Sequence, residues 1–159
     1  MFDFKGKTVL VTGGAQGIGK EIVKGVVNGG GHAVILDINE EGARTTAAEL
    51  GNCGAYRMDL GSPENIREVM ARVLGDFERV DVLINCGGVI SKVPFQELTD
   101  AEWERTLRIN LTGTFTTCSA IYPYFMEKKG GRIVNVSSVA GKIGGGLLGT
   151  AAYATSKAG

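Results

Sequence analysis

Histidine is nearly absent from this chain, cysteine is scarce, and neither sign of charge prevails. The 159 residues hold one histidine, His32, and three cysteines, Cys53, Cys86 and Cys118. One histidine leaves no basis for a histidine-rich metal site and speaks against a Ser-His-Asp triad. His32 itself reads as a solvated loop residue. An odd number of widely spaced cysteines fits neither a disulfide framework nor a C-x-x-C motif, so all three read as small, buried apolar residues. Acidic and basic residues balance at 17 each. With no basic run and no basic patch interleaved with aromatics, the chain lacks the electrostatic footprint of a nucleic-acid partner. No stretch approaches the roughly 20 apolar residues of a membrane span. Met1-Phe2-Asp3-Phe4-Lys5 shows no apolar signal region, which makes the cytoplasm the expected compartment.

What the chain does have is glycine and apolar runs placed in order. Val9-Leu10-Val11-Thr12-Gly13-Gly14-Ala15-Gln16-Gly17-Ile18-Gly19 reads as a strand, a glycine turn and a helix start. Gly13, Gly17 and Gly19 permit a tight turn, close approach of backbone to a pyrophosphate, and close packing of helix on strand. The helix that follows offers free N–H groups and its positive dipole end to phosphate. Downstream, short apolar runs alternate with segments of helical periodicity, the pattern of a parallel sheet covered by helices.

The expected strands are Lys7 to Thr12, Ala33 to Asp37, Ala55 to Met58, Val80 to Asn85 and Arg132 to Ser138. Ser62-Pro63 marks a helix start with the stripe Ile66, Val69, Met70 and Val73, and Thr99-Asp100-Ala101-Glu102 is a capping box opening a long helix to Phe125. Pro123 is expected to bend or shorten that helix. With 43% hydrophobic residues, positions 1–159 read as one dinucleotide-binding domain.

Asp37 closes the second strand near the roughly 20-residue offset at which an acid bonds the ribose hydroxyls of NAD and repels the extra phosphate of NADP. Cys86-Gly87-Gly88, ending the fourth strand, leaves room for a close-lying ligand. Tyr153 and Lys157 stand one helical turn apart, and a lysine ammonium beside a phenol favours the ionised form. Ser138, at the end of the fifth strand, is placed to bond the same substrate oxygen.

Together these residues resemble the short-chain dehydrogenase/reductase family. Thr12 to Gly19 matches its T-G-x-x-x-G-x-G motif, Asp59-Leu60 its adenine-contacting pair, and Asn85-Cys86-Gly87-Gly88, imperfectly, its N-N-A-G strand end. Asn110-Leu111-Thr112-Gly113 is similar to its helix-borne Asn segment, and Ser138, Tyr153 and Lys157 to its Ser-Tyr-Lys set. The resemblance implies a three-layer, doubly wound parallel sheet, the Rossmann fold, in strand order 3-2-1-4-5. It implies interconversion of a secondary alcohol and a ketone with NAD(P), the substrate being a sugar, polyol, hydroxy acid or 3-oxoacyl thioester.

Catalysis would fall to Asn110, Ser138, Tyr153 and Lys157, with Asn110 fixing a water that relays protons to Lys157. Cofactor contacts would come from Gly13, Gln16, Gly17, Ile18, Gly19, Asp37, Asp59, Leu60, Asn85 and Gly87, with Tyr153 and Lys157. Gln16 stands where NADP-preferring members often carry a basic residue; with Asp37, NAD is the expected cofactor over NADP. A homodimer or homotetramer is implied through the long helix.

Two departures stand out. The interval from Ser138 to Tyr153 is about two residues longer than the family norm, so Ser137 is an alternative to Ser138. The family's last strands, its Pro-Gly segment near nicotinamide and its substrate lid have no counterpart here, so the chain is expected to be part of a longer protein, truncated at the C-terminus. A non-catalytic dinucleotide-binding or interaction module is the other reading.

Overall fold

Five short strands alternate with helices along the chain, and each strand carries apolar side chains on both faces, so the sheet needs a helical layer on either side. A computed structural model of the protein describes residues 3–146 and 150–159. The order is β1 Thr8–Thr12, α1 Gly17–Asn28, β2 His32–Asp37, α2 Glu40–Leu50, β3 Cys53–Arg57, α3 Pro63–Asp76 and β4 Val82–Asn85, followed by α4 Asp100–Leu107. A π-helical segment, Arg108–Thr112, joins α4 to α5 Gly113–Glu127; β5 Arg132–Asn135, α6 Ala140–Ile143 and α7 Ala151–Ala158 complete the chain.

The strands pair in parallel in the order β3-β2-β1-β4-β5. Strand parity divides the core. Leu10, Val34, Leu36 and Leu83 point to the layer formed by Ile66, Met70 and Val73 of α3 and Ile121 and Phe125 of α5. Val9, Val11, Ala33 and Ile35 point the other way, to Val23 and Val26 of α1 and Ala43 of α2. Burying such side chains yields about 1.5–3 kcal/mol each, which makes the double-layer arrangement the main stabilising term. Because the strand order reverses between β1 and β4, a crevice opens at their C-terminal ends.

Helix starts follow the expected chemistry. Ser62 caps α3 by accepting from the Asn65 amide at 3.2 Å, and Thr99 caps α4 by accepting from the Glu102 amide at 3.3 Å. The long helix differs from expectation: it is interrupted by the π segment, and Pro123 does not shorten it. Two side chains beyond the proline hold the last turn. The Tyr124 hydroxyl accepts from the Val80 amide at 2.9 Å, and Phe125 is buried. His32 is also a correction, because it opens β2, packs its ring 5.3 Å from that of Phe77, and meets Asn52 Oδ1 with Nδ1 at 3.0 Å. The three cysteines are half-buried rather than buried. Strand ends shift as well. Val80 and Asp81 precede β4, and Val136 to Ser138 leave β5, whose edge is exposed.

The sheet is fastened at its opposite end by Asp81. Its carboxylate accepts from Thr8 N at 3.1 Å, Lys7 Nζ at 3.2 Å and Arg79 Nε at 2.8 Å. Burial alone would raise its pKa, but the Thr8 amide and the Lys7 and Arg79 cations outweigh it and hold the carboxyl below the ordinary aspartate range. A depressed folded-state pKa contributes stability that is present above about pH 4 and lost as pH falls. Asp81→Asn is therefore expected to lower the unfolding free energy by about 1–3 kcal/mol at pH 7 in denaturant melts. That difference should shrink steadily below about pH 4; a difference independent of pH would refute the role of the charge.

Candidate active site

The glycine turn after β1 closes against the end of β4. Gly13 has φ +68°, and a Cβ there would lie 2.6 Å from Gly87 Cα. A Cβ on Gly19 would run into the Gly13 carbonyl, so α1 packs directly on the turn. Gln16 precedes α1 without a side-chain cap, and no acid stands in the first turn, which leaves that positive helix end uncompensated. Thr12 locks the two strand ends together: its hydroxyl accepts from Cys86 N and Gly87 N, each at 3.0 Å.

Asp37 sits beside the turn at the end of β2. One carboxylate oxygen accepts from Ala15 N at 3.1 Å and the other from Asn39 N at 3.0 Å. On the far side, Asp59 accepts from Gly61 N at 2.8 Å, and Leu60 fills the space that side chains at Gly87 and Gly113 would need.

A cavity of about 580 Å³ opens at these strand ends. From the glycine turn, Gly13, Gln16, Gly17, Ile18 and Gly19 line it, and from the strand ends Asp37, Asp59, Leu60 and Gly87. Tyr153 and Lys157 close its far side. Ile18, Ile38 and Ile90, all well exposed, form an apolar rim.

Three expected site residues lie elsewhere. Asn85 turns toward α5, donating to Asn135 Oδ1 at 2.9 Å and accepting from Thr117 Oγ1 at 2.8 Å. Asn110, in the π segment, is 4% exposed and lines, with Asn85, a second cavity of about 210 Å³. Ser138 does not line the larger cavity; its hydroxyl accepts from Ala140 N at 3.2 Å. Ser137 instead borders both cavities and donates to the Lys157 carbonyl at 2.6 Å.

Tyr153 is 8% exposed in the first turn of α7. One turn on, Lys157 also borders both cavities and donates from Nζ to the Val136 carbonyl at 3.1 Å. Burial pushes its ammonium below the ordinary lysine range, with the Cys86 thiol partly opposing the shift. Burial pushes the Cys86 thiol up, and the Lys157 charge moderates it. The glycine turn, the Asp37 carboxylate, Tyr153 and Lys157 thus border one space.

The family model of short chain dehydrogenases matches residues 7–159. The chain belongs to this family. It is 39% identical over 148 residues to D-threitol dehydrogenase of Mycolicibacterium smegmatis, covering 89% of this chain and 57% of that protein. Sorbitol dehydrogenase of Cereibacter sphaeroides is 35% identical, over 96% of this chain and 60% of that protein. The 3-oxoacyl-[acyl-carrier-protein] reductase of Escherichia coli K12 is 32% identical, over 99% and 64%. Among solved structures, that of gox2181 superposes with a TM-score of 0.94 at 33% identity, over 99% of this chain and 63% of that one. The chain thus spans between 57% and 64% of the length of these relatives.

In this member of the family, the sequence offers Ser137 only as an alternative to Ser138, and it does not single out the double acceptor role of Thr12 or the apolar rim at Ile38 and Ile90. Both isoleucines follow strand ends closely, which is the local signal that marks them. Thr12 carries no such signal, because its two partners, just beyond the end of β4, lie 74 and 75 residues away in sequence.

Among the described residues no helix is long and apolar enough to cross a membrane.

Proposed function

We propose that this member of an oxidoreductase family interconverts a secondary alcohol and a ketone with NAD as the preferred cofactor. The observation that carries the reading is the single 580 Å³ cavity on which the glycine cradle, Asp37, Tyr153 and Lys157 all open. That volume falls within the roughly 300–1,000 Å³ of small-molecule sites. The residues fit a dinucleotide: a glycine turn packed so closely that a Cβ at Gly13 or Gly19 would strike neighbouring backbone, an uncapped helix end, and an apolar rim for flat rings.

Gly13, Gln16, Gly17, Ile18 and Gly19 would hold the pyrophosphate region. Asp37 would bond the adenine-side ribose, and Asp59 with Leu60 would border the adenine. Gly87 would let that end of β4 lie flat against the ligand, and Asn85 would act from below by fixing the strand end. When bound, nicotinamide supplies the two-electron chemistry. Tyr153 would deliver the proton to the substrate oxygen as it becomes an alcohol, and take it back in the reverse direction. Lys157 would hold the cofactor ribose. Ser138, or Ser137 at the cavity wall, would bond the substrate oxygen, and Asn110 would support a water beside Lys157.

The names of the relatives support a polyol, sugar or 3-oxoacyl thioester as substrate. The position of Ser138 off the cavity favours a second reading, a dinucleotide-binding module without turnover. Phe115, Tyr122 and Met126 stand exposed along α5, supporting a homodimer or homotetramer through that helix, and the balanced charge and low cysteine content support the cytoplasm.

In a polyol and 3-oxoacyl panel, the active protein should couple NADH oxidation to ketone reduction, and Tyr153→Phe should lower kcat by on the order of a thousandfold. NADH binding with no turnover on any substrate would leave the module reading in its place. Asp37→Ala should raise the preference for NADPH over NADH at least about tenfold, through loss of like-charge repulsion; an unchanged ratio removes the role of Asp37. Light scattering should give a multiple of the protomer mass, and a clean monomer would rule out association through α5.

A further inference from the structure

Ser156 is 4% exposed on the face of α7 that meets the π segment. Its hydroxyl donates to the Tyr153 carbonyl at 2.8 Å and accepts from Asn110 Nδ2 at 2.9 Å. The Asn110 carboxamide is otherwise committed to one residue: Oδ1 accepts from Val89 N and Nδ2 donates to Val89 O, each at 2.8 Å. This carboxamide therefore joins three segments, the π segment, the loop after β4, and α7.

The π segment makes that reach possible. The Gly113 amide bonds Arg108 O, five residues back, and the Thr114 hydroxyl donates to Asn110 O at 2.9 Å. Space around the junction is tight. A Cβ on Gly88 would lie 2.9 Å from Asn110 Oδ1 and 3.7 Å from Lys157 Nζ. The turn bearing Lys157 is held on one flank by Ser137, through its bond to the Lys157 carbonyl, and on the other by Ser156, through Asn110.

We propose that Ser156 is a positioning residue that sets where Lys157 enters the cavity by bolting α7 to Asn110, an inference that rests on the role given to Lys157 above. An alanine at this position would leave one Asn110 amide hydrogen without its protein acceptor, at the wall of the cavity of about 210 Å³ that Asn110, Ser156 and Lys157 line. The turn is then free to swing on its Ser137 contact, and the Lys157 ammonium gains water.

The test uses isotope-labelled whole chain without cofactor, following the Lys157 side-chain titration and the exchange of the Asn110 side-chain amide by NMR. Ser156→Ala should move the Lys157 titration up toward the ordinary lysine value and speed Asn110 exchange at least about tenfold. Ser156→Thr, which keeps the hydroxyl, should leave both near wild type. In any turnover assay Ser156→Ala should lower kcat about tenfold while the NADH Kd changes less than about threefold.

A purely structural role lowers the melting temperature and leaves the titration where it was, which would overturn the proposal. So would equal behaviour of the alanine and threonine variants. If Ser156→Ala does not fold, Asn110→Ala takes its place: an upward shift of the Lys157 titration supports the link, and none overturns it. Failure of the wild-type chain to bind NADH would count against the function and not against this link, whose readouts need no cofactor.

Discussion

The ends of β1 and β4 approach so closely that a Cβ at Gly13 would fall 2.6 Å from Gly87 Cα. That contact is the constraint on which the rest of the site depends. It exists because β1 and β4 are neighbours in a sheet whose order reverses between them, and because Thr12 accepts hydrogen bonds from the two amides that leave β4. With the strand ends pinned, the glycine turn can only rise over them, and α1 starts with its amide end facing the crevice. Leu60 then seals the floor, and it can do so only because Gly113 brings α5 down onto its carbonyl. Packing and chemistry share these few small residues, so a change of side-chain volume at any of them reaches the cavity as well as the core.

What was legible in the sequence was what local spacing encodes. Gly13, Gly17 and Gly19 of the turn, the acid at Asp37 and the one-turn pair Tyr153 and Lys157 all border the cavity, as does the pair Asp59-Leu60, which only the family resemblance singled out. The parallel sheet was legible because short apolar runs alternate with segments of helical periodicity, while its doubly wound order came with the family resemblance. Side-chain direction at strand ends was not. Asn85 pairs in register with Thr12, yet its carboxamide turns to Thr117 and Asn135, because what surrounds that face depends on α5 and β5. Ser137 and Ser138 both lie beyond the end of β5, and a motif cannot say which of two adjacent serines the chain turns to the cavity. The π segment escaped too, since its signature is a shift in hydrogen bonding that leaves the apolar stripe almost unchanged.

Polar side chains in this protein do more fixing than exposure would lead one to expect. Thr12, Asp37, Asn110 and Ser156 each bond backbone on a second segment, or a side chain that does so. Buried polar groups of this kind stabilise little on net but cost much when broken, so they narrow the conformations available to the site more than they deepen its stability. The family membership of the chain is carried by glycines and one tyrosine–lysine turn, while the geometry that makes those residues converge is carried by hydroxyls and carboxamides around them.

Asp81 lies at the end of the sheet opposite the cavity, a strand of about five residues away. Its ties to Lys7, Thr8 and Arg79 make that end an electrostatic clasp, whereas the cavity end is closed by glycine contact and hydrogen bonds. The two ends are thus maintained by different physics, one sensitive to acid and salt, the other to side-chain volume. A lineage carrying this sheet can retune its tolerance of pH at the clasp without disturbing the fit of a ligand, and can reshape the mouth of the cavity without loosening the sheet.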